Sequence, residues 1–333
     1  MKSLKIQIIA VLLAALAMGS QGWASGHAVP SPCPARPAIA NDLDAGKYAE
    51  TASFLQQEVA RNPRNAQAAL RLARTYLDLG NYDQAVTLAE RTVQLAPGCS
   101  ESRFWLGRAY GLKADKARSF WLARKARLEY QRAVQLDPDN LAARRDLMEF
   151  YVQAPWILGG SKDKAWAQVK AIASRNRTEG DLARALYWRD LNRPEVAAKE
   201  YRKVLDARPQ QAEPYFQVAD FYEAEERPAE VEAAVRAVSP LAPNDPRLDY
   251  YSAVANVMKS QDLSKAEQAL KGYLAKTPRR DDFPSHAAAH DWLGRIYEIR
   301  GKKQQAIEQY RSALSVRPDN QSARDALKRL DAN

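Results

Sequence analysis

The sequence predicts an all-α fold, a solenoid of antiparallel helix hairpins, and three observations carry that expectation. Prolines close successive amphipathic stretches at Pro63, Pro97, Pro138, Pro209, Pro243, Pro278 and Pro318, at intervals of 34, 41, 71, 34, 35 and 40 residues. The long interval divides into 39 and 32 when Arg177 occupies the missing proline position, so a period near 34 with insertions organises the chain. Composition agrees: glycine numbers only 14 in 333 residues, Ala, Leu, Arg and Gln are plentiful, and β-branched residues are not clustered. Within most periods, a small residue is followed three positions later by an aromatic, the spacing of neighbours on one helix face.

The elements follow in order. Lys2 and Lys5 precede an apolar run of 13 residues, Ile6 to Met18, and small residues lead to Ala24. Thirteen residues are too few to cross about 30 Å of hydrocarbon, so residues 1–24 read as a secretory signal peptide with cleavage after Ala24. Its loss would take the formal charge from +10 to +8. Residues 25–37 hold four prolines and form an irregular lead-in, and 38–65 an opening half-repeat. Seven hairpins are then expected at 66–97, 100–138, 141–177, 178–209, 212–243, 247–278 and 287–318, the fourth with a short first helix. Residues 320–333 form a capping helix, with Asn320 at its start and Ala323, Leu327 and Leu330 facing inward.

The clearest unit reads Trp292-Leu293-Gly294-Arg295-Ile296-Tyr297, then Gly301, Ala306, Tyr310, Ala313 and Pro318. Leu72-Ala73, Tyr76, Gly80, Tyr82, Ala85 and Pro97 repeat it, as do Leu106-Gly107, Tyr110, Ala126, Tyr130, Ala133 and Pro138. This pattern resembles the tetratricopeptide repeat family. The resemblance implies a right-handed superhelix whose hairpins bury their apolar faces on one another and leave a concave groove. It also implies that partners are held by the first helix of each unit at positions two, five, six, nine, twelve and thirteen. Carried over, those positions name Arg71, Arg74, Phe104, Trp105, Arg108, Arg145, Phe216, Asp220, Tyr251, Trp292 and Arg295. The first half of such a groove is cationic and aromatic, suited to an extended protein segment with acidic groups. Trp105 and Trp292 have packing between hairpins as an equal alternative. The Lys and Asn set by which some relatives hold a terminal carboxylate is absent at these positions.

Chemistry is sparse. The sequence has no phosphate-cradling glycine loop, no G-x-S-x-G and no H-E-x-x-H, so no catalytic residue, cofactor or metal is expected. His286 and His290, with Asp281, Asp282 and Asp291 nearby, could share a helix face, but position four of the repeat favours packing for His290. Cys33 and Cys99 are the only cysteines; a bridge and two free thiols both remain open.

The loops between hairpin helices add one feature. Ala85 lies nine positions beyond Tyr76 and Ala306 nine beyond Tyr297, but Ala126 lies sixteen beyond Tyr110 and Ala165 fourteen beyond Tyr151. The extra residues predict a raised rim joining Phe120, Trp121, Trp156, Ile157 and Leu158 to Lys113, Lys116, Arg118, Arg124 and Lys125. An apolar cluster among cations suits an anionic membrane surface or an acidic partner, unless the insertions bury their tryptophans on each other. The expectation is an exported, periplasmic or secreted, non-catalytic protein-interaction scaffold without nucleic-acid partners. A small-ligand carrier with a pocket enclosed by the superhelix is the rival.

Overall fold

The computed structural model describes residues 33–34, 48–277 and 283–332, all within one compact unit that spans residues 31–333. The expected signal peptide, most of the lead-in, the start of the half-repeat, Asp281 and Asp282 lie outside the described residues. Among the described residues there are sixteen α-helices, one 3-10 turn and no strand. A single helix, α1 (Tyr48–Arg61), precedes seven hairpins: α2 (Ala66–Asp78) with α3 (Tyr82–Leu95), α4 (Ser100–Ala117) with α5 (Phe120–Leu136), and α6 (Leu141–Gln153) with α7 (Lys162–Ala173). Then come α8 (Arg177–Asp190) with α9 (Pro194–Ala207), and α10 (Glu213–Ala224) with α11 (Pro228–Val238). The last two are α12 (Pro246–Met258) with α13 (Leu263–Lys276), and α14 (His286–Ile299) with α15 (Lys303–Val316). A final helix, α16 (Gln321–Ala332), closes the array.

Side-chain caps set where many first helices begin. Asn65, Asn140, Asn176, Ser285 and Asn320 accept the backbone N–H groups of Ala68, Ala143, Glu179, Ala288 and Ala323 at 3.0 to 3.1 Å. Proline in the first turn fixes φ for α9, α11 and α12 without removing a needed donor. Each of the seven hairpin turns contains a residue in the left-handed region: Gly80, Arg118, Gly159, Asn192, Glu226, Ser260 and Gly301. In most of them the following N–H closes back on the helix, as from Asn81 to the Tyr76 carbonyl at 2.8 Å and from Gln261 to the Asn256 carbonyl at 2.8 Å. Ser260 carries a side chain where Gly80 and Gly301 have none. Ser260→Gly should therefore stabilise the protein by about 1 kcal/mol, read from a denaturant midpoint.

Small-against-aromatic packing holds each hairpin together. A Cβ on Gly107 would lie 2.6 Å from the Tyr130 ring, and one on Gly294 would lie 2.6 Å from the Tyr310 ring. Glycine is required there because the second-helix aromatic occupies the space of its side chain. The buried core divides at α8. Ala183, Leu186 and Tyr187 join the amino-terminal cluster, whereas Leu182 and Ala185 join the carboxy-terminal one with Tyr201, Phe216, Tyr222, Tyr250 and Tyr251.

Four features differ from or add to the sequence reading. The fourth hairpin's first helix is not short: α8 has 14 residues, because the Asn176 cap starts it where the preceding unit was expected to end. The insertion in the second hairpin lengthens both helices, α4 to 18 residues and α5 to 17. The insertion in the third becomes the 3-10 turn Trp156–Leu158. Cys33 and Cys99 are bridged, with Cα atoms 5.1 Å apart, and Cys99 is buried beside Ala66 and Ala96.

Candidate functional site

The first helices line the inside of the solenoid. Neighbouring first helices touch directly (α2 with α4, α6 with α8, α8 with α10, α10 with α12, α12 with α14), while each second helix packs on the first helix of the next hairpin. Polar side chains tie this inner face together. Arg74 stands over the Trp105 ring at 5.1 Å, and Arg108 lies 5.5 Å from the same ring and 3.4 Å from Asp146. Arg145 reaches Glu179 at 3.9 Å and, across α8, Gln217 at 3.4 Å. Farther along, the Tyr251 hydroxyl donates to Asp220. The Trp292 indole donates to Glu223 at 2.6 Å and Arg295 pairs with Glu226 at 2.6 Å, both spanning α12.

These contacts correct the sequence picture of the groove. Phe104, Trp105, Phe216, Tyr251 and Trp292 are buried rather than displayed. Winding brings successive first helices close enough for their aromatics to cover one another: Phe216 stacks on Tyr251 at 6.1 Å, under the Arg247 guanidinium at 3.7 Å. Arg108 and Arg145 are matched by carboxylates on the next first helix, and Arg295 by Glu226 and by Asp291 of its own helix. Arg71 differs: it is half-buried and makes no side-chain ion pair among the described residues. The reading passed over Asp146, Glu149, Glu223 and Glu226, although the first three occupy positions six, nine and twelve of their units. The inner face is thus cationic at Arg71 and Arg74 and rich in carboxylates from Asp146 onward.

Those carboxylates feel the crowding. Glu223 keeps some contact with solvent, yet inner helices surround it, and burial pushes its carboxyl up to about 7 against the opposing hydrogen bonds from Tyr250 and Trp292. Burial, reinforced by Asp146, pushes Glu149 up to about 7 as well. A carboxyl whose folded value lies above its ordinary 4.5 holds its proton longer in the native state. The native state is therefore favoured most below that ordinary value and loses stability as pH rises to about 7, where the loss levels off. Each group should contribute on the order of 1 kcal/mol after allowance for solvent contact. Glu223→Gln should raise the melting temperature at pH 8 and flatten its fall between pH 5 and pH 7; an unchanged pH profile would contradict this assignment.

His286 and His290 hold protein partners: the Thr277 carbonyl lies 2.8 Å from His286 Nε2, and Gln309 lies 2.9 Å from His290 Nδ1. No group of metal-binding side chains occurs among the described residues. Recesses on the inner face are open. One of about 410 Å³ is bordered by Glu223, Asp291, Trp292 and Arg295, and nothing in its form favours an enclosed ligand pocket.

The rim is partly as expected. Trp156, Ile157, Phe120 and Trp121 are 85%, 75%, 71% and 64% exposed, so the insertions do not bury their tryptophans on each other. Leu158 is half-buried. Lys113 and Lys116 turn away toward α3, pairing with Asp83 at 2.6 Å and standing 5.3 Å from the Tyr82 ring, because α4 leans on the preceding hairpin. Arg118 takes the left-handed position at the end of α4. Arg127, unnoticed in the sequence, fills that place instead: a Cβ on Gly159 would lie 3.1 Å from its Nε.

Stacked hairpins with first helices facing inward define a helical-repeat scaffold. Residues 42–110 and residues 287–320 each match a tetratricopeptide repeat family model. The chain carries tetratricopeptide repeats, and its fold is an all-α right-handed superhelical solenoid of the kind that generally serves as a non-catalytic scaffold for protein partners. Solved structures share the fold. A monomeric IFIT1 mutant with Gppp-AAAA is 16% identical at a TM-score of 0.53, the match covering 85% of this chain and 68% of that one. The Cut9–Hcn1 hetero-tetramer of APC/C is 14% identical at 0.50, covering 85% and 52%. A tetratricopeptide repeat protein from Parabacteroides merdae is 15% identical at 0.48, covering 85% and 100%. A search of curated proteins finds no match.

Proposed function

We propose that this protein is an exported, non-catalytic scaffold that holds an extended partner segment along its inner face, with acidic groups of that segment at the Arg71–Arg74 end. The observation that carries the reading is the charge order of the inner face. Arg71 makes no ion pair among the described residues, whereas Arg108 and Arg145 beyond it are matched by carboxylates. A segment with an acidic stretch gains charge-assisted hydrogen bonds at the first end, and its remaining polar groups meet Asp220 and Glu223 farther along. Export is supported by the basic head and apolar run at residues 1–24 and by the Cys33–Cys99 bridge, a bond that persists in oxidising compartments. Sequencing the protein recovered from the bacterial envelope should find Ser25 at its amino terminus, and finding Met1 would refute cleavage.

Arg71→Glu with Arg74→Glu tests the inner-face reading. Recovery of crosslinked partner from the envelope should drop about tenfold, whereas the thermal melt should move little, since two half-buried charges and one cation–π contact contribute about 1 kcal/mol. Undiminished recovery would remove the basic end from the binding site.

A further inference from the structure

We propose that the tip of α5 and the neighbouring 3-10 turn form a second binding surface, separate from the inner face, that docks on an anionic phospholipid bilayer. Four large apolar side chains project there: Phe120 and Trp121 from the first turn of α5, and Trp156 and Ile157 from the turn. They belong to one strip. Phe120, Arg124 and Arg127 follow one another along a single face of α5, covering about 10 Å, and Arg127 abuts Gly159 at the end of the turn. Trp121, Lys125 and Leu128 run beside them, with the Lys125 ammonium 4.0 Å from the Trp121 ring. Arg118, Arg124, Lys125 and Arg127 flank Phe120 and Trp121 in sequence with no carboxylate among residues 118–127, while Lys113 and Lys116 lean away toward α3. An apolar crest collared by cations matches the order of a bilayer surface, acyl chains beneath a layer of anionic headgroups.

Two further observations favour lipid over a protein. All four side chains are mostly exposed, so a rigid partner would need matching pockets, whereas a bilayer yields to protrusions. The backbone of the turn is also closed on itself. Leu158, Gly159, Gly160 and Ser161 donate to the carbonyls of Pro155, Trp156, Pro155 and Tyr151 at 2.8 to 3.1 Å. These four N–H groups therefore need not be stripped of water when the turn meets an apolar layer. Gly160 locks this arrangement, because a Cβ there would lie 1.8 Å from the Ala154 carbonyl oxygen. Trp156 and Ile157 are therefore presented by a pre-formed turn that needs no ordering on contact.

The test is cosedimentation of the full mature chain with vesicles of phosphatidylcholine containing phosphatidylglycerol, against phosphatidylcholine alone. Binding should require the anionic lipid and weaken with added salt. It should fall at least about tenfold in W156S/I157S and again in R124E/K125E, both with unchanged melting curves. Arg71→Glu with Arg74→Glu, which tests the inner face, should bind vesicles as the parent does, so the two proposals fail separately. Absence of vesicle binding at low salt, equal binding to both lipids, or full binding by W156S/I157S would overturn the proposal. So would a W156S/I157S defect confined to self-association or to capture of an acidic protein.

Discussion

Truncating Tyr201 to alanine should destabilise the protein by about 3–5 kcal/mol, with the loss concentrated in the carboxy-terminal hairpins. Tyr201 is buried on α9 and its ring stacks on Phe221 of α10 at 4.5 Å, with Tyr222 at 6.5 Å. It stands at the beginning of the second core cluster, just past the division at α8. A stacked array is stabilised by its repeats and by the interfaces between nearest neighbours, so weakening one interface loosens everything beyond it before the rest unfolds. Guanidinium denaturation of Tyr201→Ala should therefore show an early step absent from the parent. Hydrogen exchange should be faster in α10 to α16 and unchanged in α2 to α5. A single transition with a loss under about 1 kcal/mol would mean that α9 and α10 are not held by this stack.

Opening the Cys33–Cys99 bridge should have the next largest effect. The bond closes a loop across 66 positions of sequence, enclosing α1, α2 and α3. Cross-linking a loop of that size constrains the unfolded chain by about 4 kcal/mol at most, and native disulfides usually contribute about 2–4. Reduction, or Cys99→Ser, should lower the stability of the first hairpins by that amount and leave exchange in α12 to α15 unaltered. Cys99 is buried beside Ala66 and Ala96, so the serine variant also places a hydroxyl in an apolar site. Reduction of the parent protein separates the two effects: equal losses assign the change to the bridge. A reduced protein as stable as the oxidised one would contradict it.

Much of the fold was legible because one contact recurs. Gly107 against Tyr130 and Gly294 against Tyr310 are the same steric requirement met twice, and such a requirement leaves the same residue types at the same spacing. Helix starts were less legible where proline is missing. Arg177 was read as the end of a unit, yet Asn176 caps α8 as Asn140 caps α6 and Asn320 caps α16. An asparagine followed three residues later by a helical N–H was the better signal.

The binding face was legible only in part. Register assigned Phe216, Tyr251 and Trp292 to the inner face but does not report how tightly the superhelix winds, and it is the winding that buries them. The same register contained Asp146, Glu149 and Glu223, whose charge signals a polar inner face as directly as the arginines do. At the rim, sequence spacing located the apolar residues, but Lys113 and Lys116 lean toward α3 through contacts that no spacing encodes.

Site-specific photocrosslinking addresses the central claim, that partners are held by the inner helices. A benzophenone side chain would be placed at Arg71 on α2, at Gln217 on α10, which Arg145 reaches across α8, and at the exposed Lys199 on the outer helix α9. After irradiation in the native envelope, Arg71 and Gln217 should yield adducts to one and the same partner, and Lys199 should yield none. Equal adducts from Lys199, or none from either inner position where the parent captures its partner, would contradict the account.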